Sequence, residues 1–354
     1  MDSARIHLLP SPSPQAGHRA AIHDTLARPL HDLRLSVTDR CNFRCPYCMP
    51  AERYHERYQF LRSAERLNFD ELIRLTRLFA GLGASKLRIT GGEPLLRAGL
   101  TDLIGDLTTL PGIEDVALTT NGVLLAVQAA ALRAAGLQRV TVSLDSLDPA
   151  VFTTLSGGHG HPADILAGIA AARAAGLAPI KINTVVQRGI NDHTVMALVE
   201  HFRGSGIVVR LIEYMDVGNR NDWQPGRVVP SHELLQHLSA RWPLSPLEPA
   251  YAGEVARRYA FDDGGGEIGF ISSVTQPFCG GCSRARLSSD GRFYTCLFAT
   301  HGTDLRAPLR AGASDEELLA LIRQTWQGRT DRYSELRGQL HDRGHRVEMN
   351  HIGG

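Results

Sequence analysis

Lysine is nearly absent from this 354-residue chain: of 38 basic residues, only Lys86 and Lys181 are not arginine. Asp and Glu number 37, so the net charge is +1. That balance excludes a nucleic-acid coat or a polybasic membrane anchor, though not a local basic pocket. No run of about 18 apolar residues occurs, which excludes a membrane-spanning helix. Aromatic residues are few, at 6%, but hydrophobic residues reach 43%, enough for the large core of a globular protein. The first thirty residues lack the apolar stretch of a secretory signal and hold Pro10, Pro12 and Pro14. Residues 1–29 are therefore expected to form a disordered leader, and the protein to be cytoplasmic. In that compartment disulfides are rare, and clustered cysteines point to a metal or to catalysis. The two lysines are either chance survivors or sites where a compact ammonium is wanted.

The length allows two domains. From Leu33 onward, short β-rich runs alternate with apolar-periodic helical stretches. Strands are expected at 33–38, 86–90, 115–119, 139–144, 180–186 and 208–212. Helices are expected at 68–82, 100–110, 123–135, 163–175 and 194–203. Asn68 with Glu71 reads as a capping box. Gly81, Gly83, Gly136 and Gly176 sit where left-handed residues end helices. Six β-α units predict a parallel sheet with right-handed crossovers, short of the eight that close a full barrel. The fold class is thus α/β: a partial (β/α)6 TIM-like barrel over residues 30–216. Near Asp216 the rhythm breaks. Residues 217–354 are expected to form an α+β domain, with a linker at 218–230, a hairpin turned at Asp290-Gly291 and a helix capped by Ser314.

All six cysteines fall into two triplets. Cys41, Cys45 and Cys48, spaced C-x3-C-x2-C, follow the first strand. Four-iron clusters usually take four thiolates, so three leave one iron open for chemistry. A zinc site closed by a distant histidine is the alternative. Position favours the cluster, because the loop after a barrel strand is where such folds place active sites. The triplet, with Tyr47 inside it, resembles the signature of the radical S-adenosylmethionine superfamily. In that superfamily the open iron binds the cofactor, and reductive cleavage yields a 5′-deoxyadenosyl radical. Gly91-Gly92-Glu93-Pro94 resembles the superfamily's contact to the cofactor amino group, and glycines permit close backbone approach.

The second triplet is Cys279, Cys282 and Cys296, spaced C-x2-C-x13-C. A zinc ribbon with His301 as fourth ligand and an electron-relay cluster are the alternatives to a second open cluster. Arg284 and Arg286 alternate as on a strand and share one face. Two guanidiniums beside an open iron suit a polyanion, since arginine meets phosphate in bidentate fashion.

The motifs L-R-L-S-V-T-D-R-C, K-L-R-I-T-G-G-E-P-L, L-T-T-N-G, V-S-L-D-S, I-K-I-N-T-V-V, C-G-G-C-S-R-A-R-L and the terminal Ile352-Gly353-Gly354 together resemble the GTP 3′,8-cyclase family over about residues 33–354. That resemblance implies two [4Fe-4S] clusters and S-adenosylmethionine as cofactors, with GTP as substrate in the first step of molybdenum cofactor biosynthesis. It implies cofactor contacts at Tyr47, Gly92, Ser143 and Met215. It implies GTP contacts at Arg34, Arg88, Thr119, Lys181, Arg284, Ala285 and Arg286, with Lys86 a further phosphate partner and Arg284 and Arg286 catalytic. It further implies a reductant protein, a homodimer, handoff of product to cyclic pyranopterin monophosphate synthase, and a Gly-Gly tail reaching into the active site. A peptide-modifying radical enzyme is the rival within the superfamily, and a protein with two structural zinc sites the rival outside it.

Overall fold

The computed structural model describes residues 21–251, 253–339 and 345–354. Six parallel strands run in chain order, β1 (Asp32–Ser36), β2 (Lys86–Thr90), β3 (Asp115–Thr120), β4 (Arg139–Ser143), β5 (Ile180–Val186) and β6 (Val208–Glu213). Helices Phe69–Ala80, Leu100–Thr108, Leu125–Ala134, Pro162–Ala174 and Val195–Phe202 cross between them. The first begins at Asn68, whose side chain accepts from the Glu71 amide in the expected capping box. Two further helices of eight residues or more among the described residues, Pro149–Ser156 and Ser231–Arg241, lay outside the sequence reading. Gly83, Gly136 and Gly176 are left-handed as expected. Gly81 is not: at φ −62° it continues the right-handed turn, and the left-handed duty falls to Gly83.

The sheet does not close. The C-terminal segment instead lengthens it at both edges, with β7 (Leu244–Leu247), β8 (Arg257–Phe261), β9 (Glu267–Ile271), β10 (Arg284–Leu287), β11 (Arg292–Tyr294) and β12 (Thr303–Asp304). β10 pairs parallel with β1, and β9 pairs parallel with β6, giving one twelve-stranded sheet. The partial barrel and the C-terminal part, expected as 30–216 and 217–354, thus share a hydrogen-bonded ladder on either side. The hairpin does turn at Asp290-Gly291, between β10 and β11.

Of the expected leader, residues 1–20 lie outside the described residues, and residues 21–29 are ordered. His23 and Pro29 form an antiparallel bridge, and Arg28 is buried in an ion pair with Asp24. The expectation of disorder up to Pro29 fails there because this short stretch buries a charge pair rather than an apolar run.

Strand alternation positions the site. In β1 and β2, Leu33, Leu35, Leu87 and Ile89 enter the core under the helices, while Arg34 and Arg88 take the opposite face. Register does the rest: Arg34 lies opposite Arg88 on one side and Arg286 on the other.

Candidate active site

Two cavities open on the inner face of the sheet, each lined by one cysteine triplet. Thr119, Asn183, Ile212, Met215, Met349 and Gly354 line both, so the cavities share a wall.

The first cavity holds Cys41, Cys45 and Cys48 with Tyr47, Gly92 and Ser143. Its cysteine loop is docked by backbone. The Gly92 amide donates to the Thr38 carbonyl at 2.8 Å, and the Glu93 amide to the Arg40 carbonyl at 2.8 Å. A Cβ on Gly92 would lie 2.3 Å from that Arg40 oxygen. The glycine therefore admits the cysteine loop itself, besides lining the cavity. Arg44 donates to the carbonyl oxygens of Cys41 and Phe43 at 2.9 and 2.8 Å. The Tyr47 hydroxyl donates to Asp145 Oδ2 at 2.7 Å. Burial pushes the Asp145 carboxyl up to about 6, against the pull of Tyr47 and the Val185 amide.

Burial also pushes the Cys41 thiol up to about 12, with Glu93 adding to the rise. Cys45 and Cys48 are also raised well above the usual thiol range by burial and by their neighbouring thiols. Thiols raised in this way become thiolates when a cationic centre binds them. The all-sulfur donor set suits an iron–sulfur cluster.

The second cavity contains Cys279, Cys282 and Cys296 with Arg34, Arg88, Thr119, Arg284 and Arg286. Arg284 Nη2 donates to Cys282 Sγ at 3.2 Å, as does Arg329 Nη2. Burial raises the Cys282 thiol, but these two guanidiniums outweigh it and bring it to about 6. Burial, then Asp331, drives Cys296 up to about 12. The sulfur donors, and a buried Arg28 Nη2 that has no partner among the described residues, again fit an iron–sulfur group with acceptor sulfurs. His301, weighed as a fourth ligand, is exposed and lines neither cavity.

Arg34 is held down by burial and by Arg286, Arg88 and Arg284. Arg88 donates to Thr119 and Thr141 at 3.1 and 3.2 Å. Among the described residues, none of Arg34, Arg88, Arg210 and Arg286 pairs with a carboxylate. Met215 stands in the shared wall, as a contact to both compartments would require.

Three predicted residues do not line the cavity with their side chains. Ala285 points into the hydrophobic core, leaving only its backbone near the site. Lys86 lies with its ammonium 3.4 Å from the Tyr251 ring centroid and does not line the cavity. Lys181 does not line it either, and burial, then Arg210, Arg139 and Arg88, lower its ammonium to about 8.

Sequence reasoning missed Arg210 and Asn183. Both sit on inward positions of apolar strands, in register with each other. Arg210 reaches Thr141 at 3.3 Å, and Asn183 Oδ1 is buried without a partner among the described residues. Polar residues breaking V-V-R-L-I-E and I-K-I-N-T-V-V were the available signal.

The tail reaches the site. Arg286 donates to the Gly353 carbonyl. Asn350 accepts from the Tyr54 hydroxyl at 2.9 Å and donates to the Asp39 carbonyl at 3.1 Å. His351 lies 3.0 Å from Asp290. Gly353 has φ +73°, and a Cβ there would lie 2.1 Å from Thr90 Cγ2.

The family model of the radical SAM superfamily matches residues 35–202, and that of Molybdenum Cofactor Synthesis C matches residues 207–335. A GTP 3′,8-cyclase of Xanthomonas axonopodis pv. citri is 56% identical over 335 residues, 95% of this chain and 99% of the relative. Enzymes of the same name from Acidothermus cellulolyticus and Staphylococcus aureus are 49% and 47% identical, each over 94% of this chain and 99% of the relative. Among solved structures, Streptococcus suis SuiB bound to S-adenosylmethionine superposes with a TM-score of 0.57 at 14% identity, covering 90% of this chain and 76% of that one. The latter likeness is one of fold.

Proposed function

The chain belongs to the GTP 3′,8-cyclase family of the radical S-adenosylmethionine superfamily, and from that membership we propose the following reading of its two cavities. The enzyme is a radical lyase that converts GTP to 3′,8-cyclo-7,8-dihydroguanosine 5′-triphosphate, the first step of molybdenum cofactor biosynthesis. The observation that carries the assignment of parts is that Arg34, Arg88, Arg210 and Arg286, enclosed together, have no carboxylate partner among the described residues, beside one thiol triplet and across a common wall from the other. An uncompensated cationic floor of this kind calls for a polyanion.

In this reading Cys41, Cys45 and Cys48 hold the first [4Fe-4S] cluster, and Tyr47, Gly92, Ser143 and Met215 bind S-adenosylmethionine beside it. Cys279, Cys282 and Cys296 hold a second [4Fe-4S] cluster. With cofactor bound, the first site supplies the 5′-deoxyadenosyl radical that takes the ribose C3′ hydrogen. Arg34, Arg88, Arg284 and Arg286 orient the triphosphate with Thr119 and the Ala285 backbone, and Lys181 and Lys86, whose side chains stand outside the ligand-free lining, turn towards its phosphates when it binds. Arg284 and Arg286 act catalytically by fixing the nucleotide against the shared wall, and Arg286 also seats Gly353. Met215, Met349 and Gly354 exclude water between the compartments, which protects a radical. A separate reductant protein, a homodimer, and delivery of product to cyclic pyranopterin monophosphate synthase complete the proposal.

The test is anaerobic reconstitution followed by GTP, S-adenosylmethionine and dithionite, with mass spectrometry of products. 5′-Deoxyadenosine and a cyclised nucleotide, both lost on replacing either triplet, are expected. Deoxyadenosine without consumption of GTP would overturn the substrate. Neither product, in protein verified to hold iron and sulfide, would overturn the catalytic reading.

A further inference from the structure

A buried charge network outside the proposed GTP contacts grips the second triplet. Asp24 accepts from Arg28 Nε at 2.6 Å and from Arg329 Nη1 at 3.3 Å. All three side chains are at most 1% exposed. Arg28 Nη1 donates to the Cys279 carbonyl at 2.9 Å and to the Asp331 carbonyl at 2.7 Å. Arg329 Nη1 donates to the Cys282 carbonyl at 2.6 Å, and its Nη2 to Cys282 Sγ at 3.2 Å. Both cysteines of the C-x2-C pair are therefore held through their carbonyls by guanidiniums that flank the domain's sequence on either side. The indole of Trp326 donates to the Arg28 carbonyl at 3.3 Å and lies 4.6 Å beneath the Arg329 guanidinium, which locks the pair from behind.

The bookkeeping of charge is asymmetric. Two arginines share one buried aspartate, and Asp331, paired with Arg329 at 3.4 Å, is partly solvated. Among the described residues, the buried Nη2 of Arg28 has no partner, and Arg28 lines the cavity that the triplet lines. A donor left unpaired in a dry site costs free energy unless an acceptor arrives. Hydrogen bonds to ligand sulfurs, and net charge near them, are the protein's levers on the reduction potential of an iron–sulfur group.

We propose that Arg28 and Arg329, tied together by Asp24, are positioning residues of the second triplet that fix Cys279 and Cys282 and raise the reduction potential of the group those cysteines hold. The inference rests on the second cluster proposed above. It also assigns a role to residues 21–29, which enter the protein as part of the cluster's housing.

Full-length wild type, Arg329→Gln, Arg329→Lys and Asp24→Asn are reconstituted anaerobically and assayed for iron and sulfide per chain. Each is then titrated reductively under electron paramagnetic resonance, the second cluster being the signal that GTP perturbs and the first the signal that S-adenosylmethionine perturbs. Loss of a cation should lower the midpoint of the GTP-sensitive signal in Arg329→Gln, and loss of the anion should raise it in Asp24→Asn. Arg329→Lys should restore the midpoint towards wild type. A scaffolding role alone would not give shifts of opposite sign. Midpoints that stay at the wild-type value, or move the same way in both variants, overturn the proposal. Should Arg329→Gln fail to hold the second cluster, Arg329→Lys must hold it, and its failure to do so also overturns the role assigned to charge. Wild-type protein that binds the iron of a single cluster would instead overturn the two-cluster reading on which this one stands.

Discussion

Replacing Lys181 with glutamine should remove most of the pH dependence of GTP binding above neutrality. Lys181 lies on β5 with its ammonium lowered to about 8 by burial, then by Arg210, Arg139 and Arg88. Without ligand, its charged fraction falls from about nine-tenths at pH 7 to about one-tenth at pH 9. A bound triphosphate favours the ammonium and raises its pKa, so binding takes up a proton wherever the free lysine is neutral. By linkage the affinity is full below about pH 8 and weakens as pH rises through that value, by about tenfold between pH 7 and pH 9, or about 1.4 kcal/mol. Lys181→Gln loses at least about tenfold at pH 7, the worth of one charge-assisted contact. Its deficit relative to wild type should narrow by about five- to tenfold between pH 7 and pH 9. Lys181→Arg keeps its charge throughout and should bind GTP more tightly than wild type at pH 9. Anaerobic calorimetric titration at both pH values reads the effect, and protons released by the nucleotide itself cancel between variants. Three parallel profiles would refute the reasoning.

Other perturbations test the scaffolding of the two compartments. Gly92→Ala places a Cβ 2.3 Å from the Arg40 carbonyl oxygen; backbone there cannot yield cheaply, so about 1–3 kcal/mol of overpacking should displace the cysteine loop. Iron content should fall towards one cluster and S-adenosylmethionine binding should be lost, with GTP affinity preserved. Gly353→Ala combines a left-handed penalty of about 1–2 kcal/mol with a contact 2.1 Å from Thr90 Cγ2. Turnover measured by nucleotide product should drop at least tenfold, while calorimetry finds GTP affinity within a factor of a few of wild type. Glu213 accepts from the amides of Ser231, Val274 and Thr275, each at 2.8 Å, and from the hydroxyls of Ser231 and Thr275. Glu213→Gln turns an NH2 group against these donors and should cost about 3 kcal/mol in denaturant unfolding of the cluster-free protein. A loss under 1 kcal/mol would mean that the carboxylate is not the clamp between β6 and the C-terminal segment.

Local signals in the chain carried the barrel. The bounds of β2 and β5 coincide with the runs K-L-R-I-T and I-K-I-N-T-V-V because both are apolar-alternating and bounded by turn residues. Asn68 and Ser314 start helices because each has a glutamate three residues on. Non-local pairing was not legible. Nothing near Arg284 says that β10 will dock parallel to β1, so the row Arg286–Arg34–Arg88 emerges only from register. Residues 21–29 were misread for a similar reason: Asp24 and Arg28 look solvated until Arg329, 305 residues away from Asp24, closes over them. Ala285 lies within the cysteine–arginine motif, yet strand alternation turns its side chain into the core.

The same register explains how a cationic floor survives in a folded protein. Guanidiniums on adjacent strands repel, and enclosure makes the repulsion stronger. Arg34, Arg88 and Arg286 nonetheless stand side by side, with burial and one another holding Arg34 below its usual range. The cost is met by the ladders on both sides of β1 and by the core beneath Leu33, Leu35, Leu87 and Ile89. A site built in this way is organised before the ligand arrives. In the proposed reading a triphosphate would remove that repulsion, leaving its binding energy free to place the sugar against the shared wall. The Gly353 carbonyl already occupies Arg286, which makes the seating of the tail and the charge of the floor parts of one arrangement. Extending the sheet at both edges is what joins them: β10 brings the second triplet and Arg286 to β1, and β9 with β6 fixes the opposite side of the cavity. A barrel closed on its own first six strands would have left β1 no edge on which to receive them.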